Sequence, residues 1–219
     1  TFTVTVKGVN DAPTLADISD PAAIDEDTGE QAVNLSGITA GGAETQALTV
    51  TASSNNTALI LNPTVTYTSP NSTGSLAYTP VSSANGAAII TVTVTDAGLD
   101  GTPGNLDVGR VQRTSTVTVN AVNDASTRAY ISDPAAIDED AGEQAVNLSG
   151  ITAGVAESQA LTVTDSSNNT ALIPAPAVTY TSPNTTGSLT YTPVGDASGT
   201  AVITVTVTDA GLDGTPGTG

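Results

Sequence analysis

Residues 87–95 read AAIITVTVT, and from Ile90 onward Ile and Val alternate strictly with Thr. That period of two puts the apolar side chains on one face of an extended chain and the hydroxyls on the other, the pattern of a strand with one wet face. A helix would need its apolar positions three or four apart, and this stretch lacks that spacing. The continuation is equally informative. ITVTVTDAGLDGTPG, at 90–104, recurs unchanged at 203–217, 113 residues further on. Working outward at that offset, ISDPAAIDEDTGEQAVNLSGITAG (18–41) recurs at 131–154 with one change, and TVTYTSPNSTGSLAYTPV (64–81) returns at 177–194 with three. Across 18–104, 73 of 87 positions are identical, so the chain holds two domains of one kind.

Turn clusters such as SPNSTG and NNTALILNP divide each repeat. In the first they predict seven strands, over 14–24, 31–36, 46–51, 65–69, 75–81, 87–95 and 111–122. The 39 threonines and a scarcity of aromatics (one Phe, five Tyr) leave Val, Ile, Leu and Ala to form the core. An all-β chain of two tandem seven-strand sandwiches follows. Tyr67 and Tyr78 read as packing residues.

The ends are out of phase with the repeats. TFTVTVKGVNDA (1–12) matches TSTVTVNAVNDA (114–125), which closes the first repeat. The predicted organisation is therefore 1–12, the last strand of a preceding repeat plus a linker; 13–125, repeat one; and 126–219, repeat two without its last strand. An unpaired edge invites another strand. Residues 1–9 are accordingly expected to complete the second repeat of a neighbouring copy by donor-strand pairing, giving an open head-to-tail filament. One giant continuous chain is the related expectation.

Composition excludes much. The net charge is −18, the pI is about 4.1 and there are only four Lys plus Arg, which leaves no basic patch for nucleic acid or anionic lipid. Without His or Cys there is no usual zinc, haem or iron–sulfur site and no Ser-His or Cys-His nucleophile pair. Lys7 is the only lysine, which nearly removes Schiff-base and Lys–Asn isopeptide chemistry. No apolar run approaches the roughly 18 residues of a spanning helix, so membrane insertion is not expected. No enzymatic role is expected either, because the paired carboxylates fall in loops at domain ends.

Those carboxylates are the candidate chemistry. Chain direction in a seven-strand sandwich puts Asp25-Glu26-Asp27 at the lower end of repeat one, with Asn123-Asp124 just beyond it. Asp209 and Asp213 lie in the loop after strand six of repeat two, at its upper end, with Glu157 in the loop between strands two and three. These acids are expected to converge at the domain junction. Adjacent carboxylates repel and are costly to desolvate, so such a cluster stays wet or holds a cation. Ca²⁺ accepts about 6–8 oxygens from carboxylates, amides and carbonyls and is the natural ion.

VNDAP, DEDT and TVTDAG, followed by a TVTV strand and another VNDA, resemble the cadherin-like, Ig-type tandem repeats of large bacterial surface and adhesin proteins. The resemblance implies a Greek-key sandwich, an extracellular or cell-surface location, and a structural and adhesive role stiffened by Ca²⁺ at the joints. It points to Glu26, to Asn123 with Asp124, and to Asp209 with Gly211. Upstream it points to Asn10, Asp11 and Asp96 with Gly98, and Asp100 is the counterpart of Asp213. The linker Ala121-Val122-Asn123-Asp124-Ala125 lacks the first acid and last amide of the cadherin pattern, and Glu44 is the only acid in its loop. Weak sites, with Kd about 10⁻⁴–10⁻³ M, are therefore expected. Partners are other copies or repeats of the same protein. The alternative is a carbohydrate-binding module for surface or matrix glycans, which an aromatic content of 3% disfavours.

Overall fold

The computed structural model describes residues 1–99 and 109–212. The chain divides into two compact units, Thr1–Val122 and Asn123–Gly219. It is all-β, with no helix among the described residues.

In the first unit the strands are β1 (Ile24–Asp25), β2 (Gln31–Ser36), β3 (Leu48–Ser54), β4 (Thr64–Thr66), β5 (Thr73–Tyr78), β6 (Gly86–Asp96) and β7 (Arg110–Asn120). They form two sheets, β1-β7-β6-β3 and β2-β5-β4. All neighbours pair antiparallel except β1, which runs parallel to β7 with Ile24 opposite Val119. Period-two patterning drives this arrangement. Ala88, Ile90, Val92 and Val94 point inward from β6, Val117 and Val119 from β7, and Leu35, Leu76 and Tyr78 from the other sheet. Fifteen buried residues make one core between the sheets.

The expected first strand over 14–24 is not one strand. Thr14 bridges Thr39 and Ala16 N donates to Ser36 O, on the β2 side. The chain then crosses: Ser115 Oγ donates to Ser19 O and Thr116 N to Asp20 Oδ1, and only Ile24–Asp25 joins β7. Pro21 lacks the N–H group a continuous ladder would need, and the segment serves both sheets in pieces.

The second unit contains β8 (Gln144–Ser149), β9 (Leu161–Ser167), β10 (Ala177–Thr179), β11 (Thr186–Tyr191) and β12 (Ile203–Asp209). Its sheets are β10-β11-β8 and β12-β9. Of the six strands expected in a repeat without its last one, five are present among the described residues. Among the described residues no strand pairs with the outer edge of β12; in 127–137, Thr127 bridges Thr152 and Ala129 N donates to Ser149 O, as Thr14 and Ala16 do in the first unit. Six buried residues form its core cluster.

Residues 1–9 carry no strand pairing, and Phe2 is 90% and Val6 88% exposed.

Candidate cation-binding loops

The loops at one end of each sandwich gather acids and amides in a matching way. In the first unit, Asp96 closes β6 and is 2% exposed. A buried carboxylate needs donors. Gly98 N and Gly109 N each donate to Asp96 Oδ1 at 2.9 Å, and Asn10 Nδ2 donates at 3.3 Å. Gln46 Nε2 donates to Asn10 Oδ1 (2.6 Å) and to Glu44 Oε2 (2.8 Å), and Asp11 N donates to Glu44 Oε2 at 3.2 Å. Gly109 must be glycine, since a Cβ there would collide with the Asp96 carboxylate and lie 2.9 Å from Pro13 Cδ.

The second unit repeats the arrangement. Asn123 Nδ2 and Gly211 N donate to Asp209 Oδ1 at 3.3 and 2.9 Å. Gln159 Nε2 donates to Asn123 Oδ1 at 3.0 Å, and Asp124 N donates to Glu157 Oε1 at 3.0 Å. The Gly211 N–H is the main cause holding the Asp209 carboxyl below the usual carboxylate range; burial opposes it, and the Asn123 amide adds to the lowering.

Among the described residues, three buried acceptor atoms in these loops have no hydrogen-bond partner: Gln46 Oε1, Gln159 Oε1 and Glu157 Oε2. Orphaned oxygens beside carboxylates are what a hard cation satisfies.

Asp25, Glu26 and Asp27 belong to the first unit. Glu26 is 4% exposed, its Oε1 accepts from Val122 N at 2.9 Å, and its own N–H donates to Asn120 O. Asp25 Oδ1 accepts from Asn120 Nδ2 at 3.3 Å, while Asp27 is exposed. The structure thus joins Asn10, Asp11 and Asp96 in one unit, Asn123, Asp124 and Asp209 in the other, and Asp25 and Glu26 with the end of β7. Asp100 and Asp213 lie outside the described residues.

Sequence reasoning missed Gln46 and Gln159, neutral amides that carry no metal-ligand signature yet tie each set together. It also missed Asp196, whose carboxylate lies with those of Glu139 and Asp140, all within 4.8 Å of one another and exposed. The first repeat has Ser83 at that position, so comparing repeats for added acids would have found it.

Tyr67 and Tyr180 pack against their respective cores, which favours packing over a ligand platform.

No family model matches the sequence, and no curated protein matches it either. Among solved structures, the titin domains z1z2 in complex with telethonin are similar at 10% identity and a TM-score of 0.37, covering 90% of this chain and 95% of that one. The human desmocollin-1 ectodomain is similar at 12% identity and a TM-score of 0.36, with 94% of this chain aligned to 36% of that structure. Domains 4 and 5 of the S-layer protein SbsC are similar at 16% identity and 0.33, covering 91% and 94%. At such scores these likenesses carry no argument, and the fold stands on the strand pairing described above.

Proposed function

We propose that this chain is a non-catalytic structural and adhesive repeat module of an extracellular or cell-surface fibre, with Ca²⁺ bound in its end loops. Successive repeats would be stiffened by these ions, and copies would join head to tail by strand pairing. The observation that carries the cation reading is the duplicated acid–amide set with its buried acceptor oxygens left without donors. Asp96 and Glu44 with Gln46, and Asp209 and Glu157 with Gln159, would supply the oxygens. An acidic surface with four cationic side chains supports a cation as the counter-charge.

Calorimetric titration of the whole chain with CaCl₂ tests this. Binding with Kd about 10⁻⁴–10⁻³ M and a calcium-linked rise in Tm are expected. Asp124→Asn and Asp209→Asn should each weaken the second unit's site. No heat and no change in Tm at about 10 mM Ca²⁺, well above that range, would reject the cation.

A further inference from the structure

We propose that the two loop sets take up Ca²⁺ at different concentrations, the second before the first. The residue at 42 and 155 sets the difference by deciding whether the loop glutamate is already spent on a glutamine amide. This rests on the cation reading above.

The two loops are close to a controlled comparison. GITAGGAETQAL at 37–48 returns as GITAGVAESQAL at 150–161, with Val155 for Gly42 and Ser158 for Thr45 as the only changes. Thr45 and Ser158 are both exposed, and both carry a hydroxyl. Gly42 sits at φ +45°, in the left-handed region, and a Cβ there would run into the Asp11 carboxylate. A β-branched residue is a poor occupant of that conformation. The second loop accordingly carries its left-handed residue one place later, at Ala156 (φ +58°), with Gly154 at φ +136°.

The glutamate follows the turn. In the first loop Glu44 Oε2 accepts from Gln46 Nε2 at 2.8 Å and from Asp11 N at 3.2 Å. The same Nε2 donates to Asn10 Oδ1 at 2.6 Å, so an amide NH₂ lies between two oxygens that a cation would share. In the second loop Gln159 Nε2 donates to Asn123 Oδ1 at 3.0 Å, and Asp124 N donates to Glu157 Oε1 at 3.0 Å. Glu157 Oε2 lies over Gly154, where a Cβ would approach it to 2.6 Å, and it has no donor among the described residues.

These two states meet a cation differently. A buried carboxylate oxygen without a donor is costly in the metal-free protein, and a hard cation removes that cost. At Glu44 the cation must first displace a charge-assisted amide bond. One such bond corresponds to about tenfold in affinity. The second set should therefore fill near 10⁻⁴ M and the first near 10⁻³ M, the two ends of the range about 10⁻⁴–10⁻³ M.

Titration of the whole chain with CaCl₂, followed by the side-chain amide NMR signals of Gln46 and Gln159, tests the order. Gln159 should reach its midpoint at about tenfold lower Ca²⁺ than Gln46. Exchanging the residues should exchange the behaviour. Gly42→Val should bring the first midpoint to within about threefold of the second, and Val155→Gly should raise the second by about tenfold. Val155 is 67% exposed, so Val155→Gly disturbs no core and carries the test even where Gly42→Val fails to fold. In metal-free Val155→Gly the Gln159 amide protons should also move downfield as a bond to Glu157 forms, a change that needs no Ca²⁺. Midpoints that coincide in the wild type, or a second midpoint that Val155→Gly leaves in place, would overturn the inference while leaving Ca²⁺ binding intact. Signals unmoved at about 10 mM Ca²⁺ would reject the cation itself, and the order of filling with it.

Discussion

β6 and the segment containing β12 are nearly the same string, GAAIITVTVTD at 86–96 and GTAVITVTVTD at 199–209, yet they occupy different environments. Ile90 and Val94 are 1% and 0% exposed, whereas Ile203 and Val207 are half-buried. The difference is the neighbour: β6 has β7 on its far side, whereas among the described residues β12 has there the side chains of Arg128, whose Nε donates to Val205 O, and Ser126, whose Oγ donates to Val207 O. The effect spreads beyond the edge. Among the described residues the counterpart of β1 has no parallel partner, and Ile137 is 40% exposed. Glu139 is exposed, whereas Glu26 is covered where Val122 N meets its carboxylate. Burial here is set by which strand lies alongside, not by the strand's own sequence.

Paired truncations break or sharpen that comparison. Ile90→Ala removes a fully buried side chain and should destabilise the first unit by about 3 kcal/mol. Ile203→Ala should cost about 1 kcal/mol, because its burial is partial. Denaturant unfolding followed by residue-resolved NMR separates the units, and equal losses would contradict the contrast. Gly109→Ala should cost the first unit about 2 kcal/mol, since its Cβ must displace the Asp96 carboxylate or Pro13. Its test is Tm by calorimetry.

The smallest effect concerns acid. Asp209 is held below the ordinary carboxylate value of 3.8, so its ionised form stabilises the fold above that pH. This contribution is lost as pH falls through the lower folded value. Asp209→Asn should therefore flatten the acid limb of Tm against pH for the second unit, between about pH 5 and 2. An unchanged limb would show that the Gly211 and Asn123 bonds do not favour the ionised form.

Much of this architecture was legible where alternation is strict. QAVNLS at 31–36 was bounded correctly because one face is buried and turn residues flank it, and the β6 pattern decided the fold. The segment over 14–24 was misread as one strand because its alternation continues while its hydrogen-bond partners change sheet midway, which no period reports. At the candidate site the charged residues announced themselves and the amides did not. Gln46 and Gln159 are bound in by geometry between loops 36 residues apart, a relation composition does not carry. Arg128 was equally silent, since its meaning depends on a carbonyl exposed 77 residues later.

The central proposal is that the duplicated acid–amide loops bind Ca²⁺, through Asp96 and Glu44 with Gln46 and through Asp209 and Glu157 with Gln159. Titration of the whole chain with CaCl₂, followed by the side-chain amide NMR signals of Gln46 and Gln159, reads this directly. Both should shift and saturate with Kd about 10⁻⁴–10⁻³ M. Signals that stay unmoved at about 10 mM Ca²⁺ would contradict the account.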